Sequence, residues 1–280
     1  MALALAGAAV DAGLEIVLLP AAYHRAGPGR EAELGQRRFC DPSVDVFLAR
    51  LDALREWARE RPGVEVGVAA HSVRAVPSDW IVEIARYADQ HGLVRHVHAC
   101  EQVRELQECQ AEHGCSPIEL LSSCGFLGPR TSVVHGIHVT DRDIALLADS
   151  GTMVVTCPTT EGNLGDGSLP ALRYRDAGVR LAIGTDSQVR IDPFEERREL
   201  ETLARREGQT RDALLAAAGG DLWGRLVADG RASLGLSGPG ASLEVDLEHP
   251  DLAGVAEDDL ALALTTCASA GVVLGRVGLA

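Results

Sequence analysis

Residues 132–158 read SVVHGIHVTDRDIALLADSGTMVVTCP. Two short apolar runs, Ser132–His135 and Thr152–Cys157, flank Asp141–Ser150, whose apolar positions fall at helical spacing. Thr140 stands where a helix cap belongs. Apolar runs without polar alternation suit strands buried on both faces, so the stretch reads as strand–helix–strand in a parallel sheet. The same texture extends both ways. Further runs lie at Glu15–Pro20, Val64–Ala70, Leu93–His98 and Val179–Gly184, and Asp45–Arg61 has helical spacing. Six βα units are expected, against eight in a closed barrel of this kind. The two solutions are an open sheet or a barrel without its first two units.

Past about residue 220 the pattern changes. Glycines at 219, 220, 230, 235, 238 and 240 punctuate the chain, and Ser242–Leu247 and Val272–Val277 read as isolated strands. The expected division is 1–220, a partial (β/α) barrel catalytic domain, and 221–280, a helical connection with part of a small β-rich domain. The alanine-rich opening Met1–Val10 lacks a basic flank and runs straight into Asp11 and Glu15, so it reads as a packed helix rather than a leader.

Composition narrows the function. The 280 residues carry a net charge of -15, the wrong sign for a nucleic-acid surface. All 26 basic residues are arginine, which excludes Schiff-base lysines, Walker-type phosphate loops and the kinase lysine. Seven cysteines without a C-x-x-C pair suit reduced thiols and a cytoplasmic location. No apolar run approaches the ~20 residues of a membrane helix. A small-molecule substrate is therefore expected, with no nucleic acid and no membrane. A homodimer is the default assembly.

The strand ends carry the chemistry, as parallel α/β folds require. In chain order they are Tyr23, His71 with Arg74, His98 with Glu101, His135, and Asp186. Singly, each has a plain reading: a hydrogen-bonded strand-end histidine, a helix cap, a first-turn charge, a surface arginine. Together, at consecutive strand ends, histidines and an aspartate suit a divalent metal such as zinc, with a carboxylate beside it to move protons. His96 and His98 point to one face of their strand. His98 is nearer the carboxyl end and is the better ligand; His96 sits a layer deeper. A chelating His96–His98 pair is the rival, and it leaves Glu101 without a role.

The pattern H-x-x-E at His98 and Glu101, then His135, then Asp186, resembles the deaminase branch of the amidohydrolase superfamily. Residues 134–158 resemble it closely. Finer motifs are EGNLGDG at 161–167, HSVRAV at 71–76, LLP at 18–20 with Tyr23, and GQRRF at 35–39. Together these resemble the formimidoylglutamate deiminases of bacterial histidine degradation. The resemblance implies a TIM-type (β/α)8 metallo-hydrolase barrel with a small β-domain. Here it would lack its first two strands. It implies one zinc, with His98 and Asp186 among the ligands and two further histidines, an H-x-H pair, expected upstream of a truncated chain. It implies Glu101, His135 and Asp186 as the catalytic groups, and Tyr23, His71 and Arg74 as the substrate pocket. Arginine binds carboxylates bidentately, so Arg74 is the natural clamp for a dicarboxylic substrate. The stretch Gly27–Phe39 reads equally as a loop over this pocket or a solvated connection. The implied reaction is hydrolysis of N-formimino-L-glutamate to N-formyl-L-glutamate and ammonia. Two alternatives stay open: another deaminase of the superfamily, of guanine or nucleoside type, and an inactive truncated fragment.

Overall fold

A computed structural model describes residues 1–277 except 212, 239 and 241. The order begins α1 (Ala2–Asp11), β1 (Ile16–Leu18), β2 (Ala21–Ala22), α2 (Val44–Ala58), β3 (Val64–Val66), β4 (Val68–Ser72) and α3 (Ser78–His91). Next come β5 (Arg95–Ala99), α4 (Val103–His113), α5 (Pro117–Ser123), β6 (Thr131–His135), α6 (Asp141–Ser150) and β7 (Met153–Thr156). The chain continues through α7 (Pro158–Leu164), α8 (Ala171–Asp176), β8 (Leu181–Ile183), α9 (Pro193–Gly208) and α10 (Leu214–Ala217). It ends with α11 (Leu222–Ser233), β9 (Ser242–Val245), α12 (Leu260–Thr266) and β10 (Val273–Val277).

Six strands form one parallel sheet in the order β2-β4-β5-β6-β7-β8. All six expected runs supply strands to the parallel pairing. The first run gives β1, and the chain continues past its end into β2; the second run breaks at Gly67 into β3 and β4. Backbone bonds from Gly67 N to Leu18 O and from Ala69 N to Pro20 O carry the pairing across the break. Pro20 has no N–H to donate, which confines it to an edge such as this. At Gly67 a side chain has no room, because a Cβ would stand 2.6 Å from Leu19 and 2.8 Å from the Val94 carbonyl.

One face of the sheet packs on the helices. Val97, Val133 and Val154 point into a core completed by Ile81, Ile84 and Ala88 of α3 and Leu147 of α6. The three- and four-residue spacing of those helical positions is what buries them. Thr140 caps α6 with a reciprocal box, its side chain on Asp143 N and the Asp143 carboxylate on Thr140 N.

Past residue 220, Leu222 and Leu226 of α11 pack into the main core. At the end of α11, the Ser233 carbonyl lies 3.0 Å from His96 Nε2 and its hydroxyl 2.8 Å from Ser132 Oγ. The helix is thereby tied to the sheet face that His96 shares with His98. The two late strands are not isolated: β9 pairs antiparallel with β10. That ribbon and α12 pack around a second, smaller cluster with Leu252, Ala263 and Val272. The opening segment is a helix, but only Ala6 of it is buried, and Leu3, Leu5 and Val10 are exposed.

Replacing Gly67 with alanine should lower stability by about 2–3 kcal/mol, because the Val94 carbonyl is backbone and cannot step aside. Urea denaturation measures this, and an unchanged midpoint would show that the strand break has slack.

Candidate metal and active site

Four aromatic rings stand side by side along the carboxyl edge of the sheet. Tyr23 meets His71 edge-on at 4.6 Å, His71 lies 5.2 Å from His98, and His98 stacks on His135 at 5.5 Å and 21°. They follow or end β2, β4, β5 and β6. Alternation explains two of them. Ala70 and Val97 are paired in register and face the helices, so His71 and His98, each one residue on, turn to the other face. His135 breaks the rule. It pairs with Ala99, which faces the helices, yet its ring lies against His98. Its backbone is left-handed, with φ 76°, as are Cys100 at 57° and Asp186 at 43°. Such conformations cost of order 1–3 kcal/mol each and gather at functional sites.

His98, His135 and Asp186 each offer a ligand atom, and the three atoms lie within 4.8 Å of one another. Two imidazoles and a carboxylate are a donor set that suits zinc. His98 is already oriented for such a role. Its Nδ1 is 2.7 Å from the His71 carbonyl, which can only accept, so Nδ1 carries the proton. Nε2 is left facing Asp186 Oδ1 at 3.6 Å. The His98 ring beside it holds the Asp186 carboxyl below the usual range, against the opposing effect of burial. Histidine ligands in metal sites are commonly fixed in this way through the other nitrogen. The rival reading of a chelating His96–His98 pair is not supported by the geometry: His96 Nε2 is turned to the Ser233 carbonyl and hydroxyl, at 3.0 and 3.2 Å, and His96 is not part of the His98, His135 and Asp186 group.

Glu101 Oε1 stands 3.7 Å from His135 Nε2. Burial acts to lower the pKa of His135, but the Glu161 hydrogen bond and the charges of Glu101, Glu161 and Asp186 raise it on balance. His71 goes the other way: burial, reinforced by His98 and Arg74, pushes it down to about 3, so it is neutral at physiological pH. Burial raises the Tyr23 hydroxyl, against the pull of Arg74 beside it. Arg74 is half-buried, interacts with the Tyr23 hydroxyl, and has no carboxylate within 4.0 Å among the described residues. Tyr23 and His71 line a groove of about 1320 Å³, together with Gln36, Arg38 and Phe39. The 24–40 segment is pinned beside it. Arg25 pairs with Glu112 through two bonds, and Arg30 pairs with Glu108, both acids on α4.

Two buried acids at this site escape a reading of strand ends. Glu161 is 2 % exposed and touches His135. It lies inside a motif quoted above, but nothing in that motif says which histidine it meets. Glu105, one turn beyond Glu101 on α4, accepts from the Glu101 backbone N–H at 3.1 Å, while its Oε1 is buried without a partner. Burial raises its pKa to about 7. Its first-turn position on the helix was the available signal.

Residues 4–219 match the amidohydrolase family. The chain belongs to this family. Formimidoylglutamate deiminase of Pseudomonas aeruginosa is 37% identical over 215 residues, covering 76% of this chain and 47% of that protein. The 5-methylthioadenosine/S-adenosylhomocysteine deaminase of Halobacterium salinarum is 33% identical over 195 residues, 66% of this chain and 44% of that protein. The chain thus spans about half the length of the curated relatives it matches. Among solved structures, an amidohydrolase from Brucella melitensis matches with a TM-score of 0.83 and 30% identity, covering 96% of this chain and 60% of that one. An adenosine deaminase from Xanthomonas campestris with bound zinc gives 0.82 at 23% identity, covering 97% of this chain and 61% of that one, and supports the fold alone. The α/β architecture expected for this amidohydrolase is the one observed.

The raised pKa of Glu105 ties stability to pH. Its folded pKa, about 7, exceeds the ordinary 4.5, so the folded state binds this proton more tightly. The resulting stability is complete below about pH 4.5 and is lost as pH rises through 7. Relative to Glu105→Gln, the native protein should lose on the order of 3 kcal/mol between pH 4.5 and 7.5. Urea titrations across that range test it; a difference that stays flat with pH means the carboxyl is ionised throughout.

Proposed function

We propose that this chain belongs to a zinc-dependent deiminase that hydrolyses N-formimino-L-glutamate to N-formyl-L-glutamate and ammonia. The observation that carries the reading is Arg74. Its guanidinium interacts with the Tyr23 hydroxyl, has no carboxylate partner among the described residues, and stands beside His71 on the same strand-end edge as the His98, His135 and Asp186 group. The 37% identity to a formimidoylglutamate deiminase supports the same substrate.

The protein's own groups divide the work. Arg74 grips one substrate carboxylate through paired N–H bonds. Neutral His71 and the Tyr23 hydroxyl supply hydrogen bonds without adding charge. Glu101 faces the cationic formimino group, pairs with it, and delivers protons to the departing nitrogen. His98 and Asp186 would hold a metal ion, and Asp186 with His135 takes up the proton released by the attacking water. Bound zinc lowers the pKa of coordinated water toward ~7 and so makes hydroxide available at neutral pH. Water is consumed, the C–N bond to the terminal nitrogen breaks, and that nitrogen leaves as ammonia.

The test is ammonia release by the zinc-loaded protein, with N-formimino-L-glutamate assayed beside 5-methylthioadenosine and adenosine. Release from the formimino compound supports the assignment, and release from the adenine compounds alone overturns it. Arg74→Met should raise KM by ten-fold or more, about the worth of one charge-assisted pair, with zinc content unchanged. Asp186→Asn should instead lower the zinc retained after dialysis, read by elemental analysis.

A further inference from the structure

We infer that Glu161 is the positioning residue for His135. It keeps a proton on Nδ1, so that Nε2 is the atom the ring presents to the site. The functional meaning rests on the reaction proposed above, but the geometry does not.

Glu161 sits in the first turn of α7, just past the end of β7, and is 2 % exposed. Its carboxylate is held on three sides. Oε1 is 2.7 Å from the Cys157 backbone N and 3.1 Å from His135 Nδ1; Oε2 is 2.8 Å from the Thr156 hydroxyl. A backbone N–H can only donate, so Oε1 is an acceptor where it meets Cys157. The same oxygen accepts from His135, which places the proton on Nδ1. The ring's other nitrogen then faces Glu101 Oε1, 3.7 Å away.

Capping α7 accounts for only part of this residue's environment. Cys157 is the cap residue, and a first-turn carboxylate reaching back to its N–H is an ordinary cap contact, but that leaves the Thr156 hydroxyl and the His135 ring unexplained. A carboxylate taken fully out of water is costly without a cationic or donating partner. Here the donors are the Cys157 N–H, the Thr156 hydroxyl and the His135 ring. The arrangement repeats, with a stronger acceptor, what the His71 carbonyl does for His98. Two stacked rings are thereby both fixed through Nδ1 and both offer Nε2. In the proposed hydrolysis, a proton arriving at Nε2 of His135 would be stabilised from behind by the Glu161 charge.

The experiment is nitrogen NMR of the histidine-labelled protein, metal-free, with the His135 signals assigned by loss in His135→Asn. Nδ1 should give the signature of a protonated nitrogen across the folded pH range. Glu161→Leu should abolish that preference and populate the opposite tautomer. Glu161→Gln should retain it, because the amide oxygen can accept from Cys157 N and Nδ1 while its NH2 donates to Thr156. A helix-capping role alone would leave the tautomer unchanged in all three proteins. If Nδ1 of the unsubstituted protein lacks its proton, the inference is overturned without any variant, so misfolding of Glu161→Leu does not shield it. No substrate is needed, so failure of the proposed reaction and failure of this inference are separate results.

Discussion

The parallel ladder from β4 to β7 is the constraint on which the site depends. Its hydrogen bonds set Val97 against Val133 and His98 against Val134, and so bring strand ends from distant parts of the chain to a common level. Side-chain alternation then does the sorting. Val97, Val133 and Val154 go to the helices, and His71 and His98 go to the other face. A one-residue slip of β5 would put His98 among the helices and Val97 in the site. The buried valines thus enforce the register that the chemistry needs.

Where the ladder ends, the backbone leaves regular geometry, and bonds between neighbouring strands hold it there. The Cys100 carbonyl accepts from both Ile137 and His138, and the Ala99 carbonyl accepts from Gly136. The left-handed turns at Cys100 and His135 are therefore locked to each other. Gly136 is itself left-handed, and the Tyr174 hydroxyl, completely buried, donates to its carbonyl at 2.7 Å. The strain at the metal edge is carried by a stiff lattice rather than by a loop.

Much of this was legible in the sequence because it is local. The six apolar runs, the Thr140 cap and the preference for His98 over His96 all follow from periodicity and position. The aim of His135 was not legible, because alternation predicts the opposite face and only the left-handed turn reverses it. Glu161 and Glu105 were hidden for a different reason: their partners lie across the fold or on backbone, and a carboxylate's burial cannot be read from its neighbours in sequence. The attachment of α11 to the main core was not legible either, because it rests on contacts with β8 and with Ser132 and His96, far away in sequence.

The sheet has a bearing on how the molecule behaves among its own copies. Its outer strands, β2 and β8, pair on one side only among the described residues, and exposed Leu3 and Leu5 lie along the groove beside the first of them. One-sided strands are templates for pairing with another chain. Shortness limits the hazard, since these two have two and three residues. The charge of -15 limits it further by keeping copies apart. That repulsion acts over about 10 Å at 0.1 M salt and about 3 Å at 1 M. Colloidal stability here is thus an electrostatic property laid over an adhesive edge, and concentrated brine uncovers the edge.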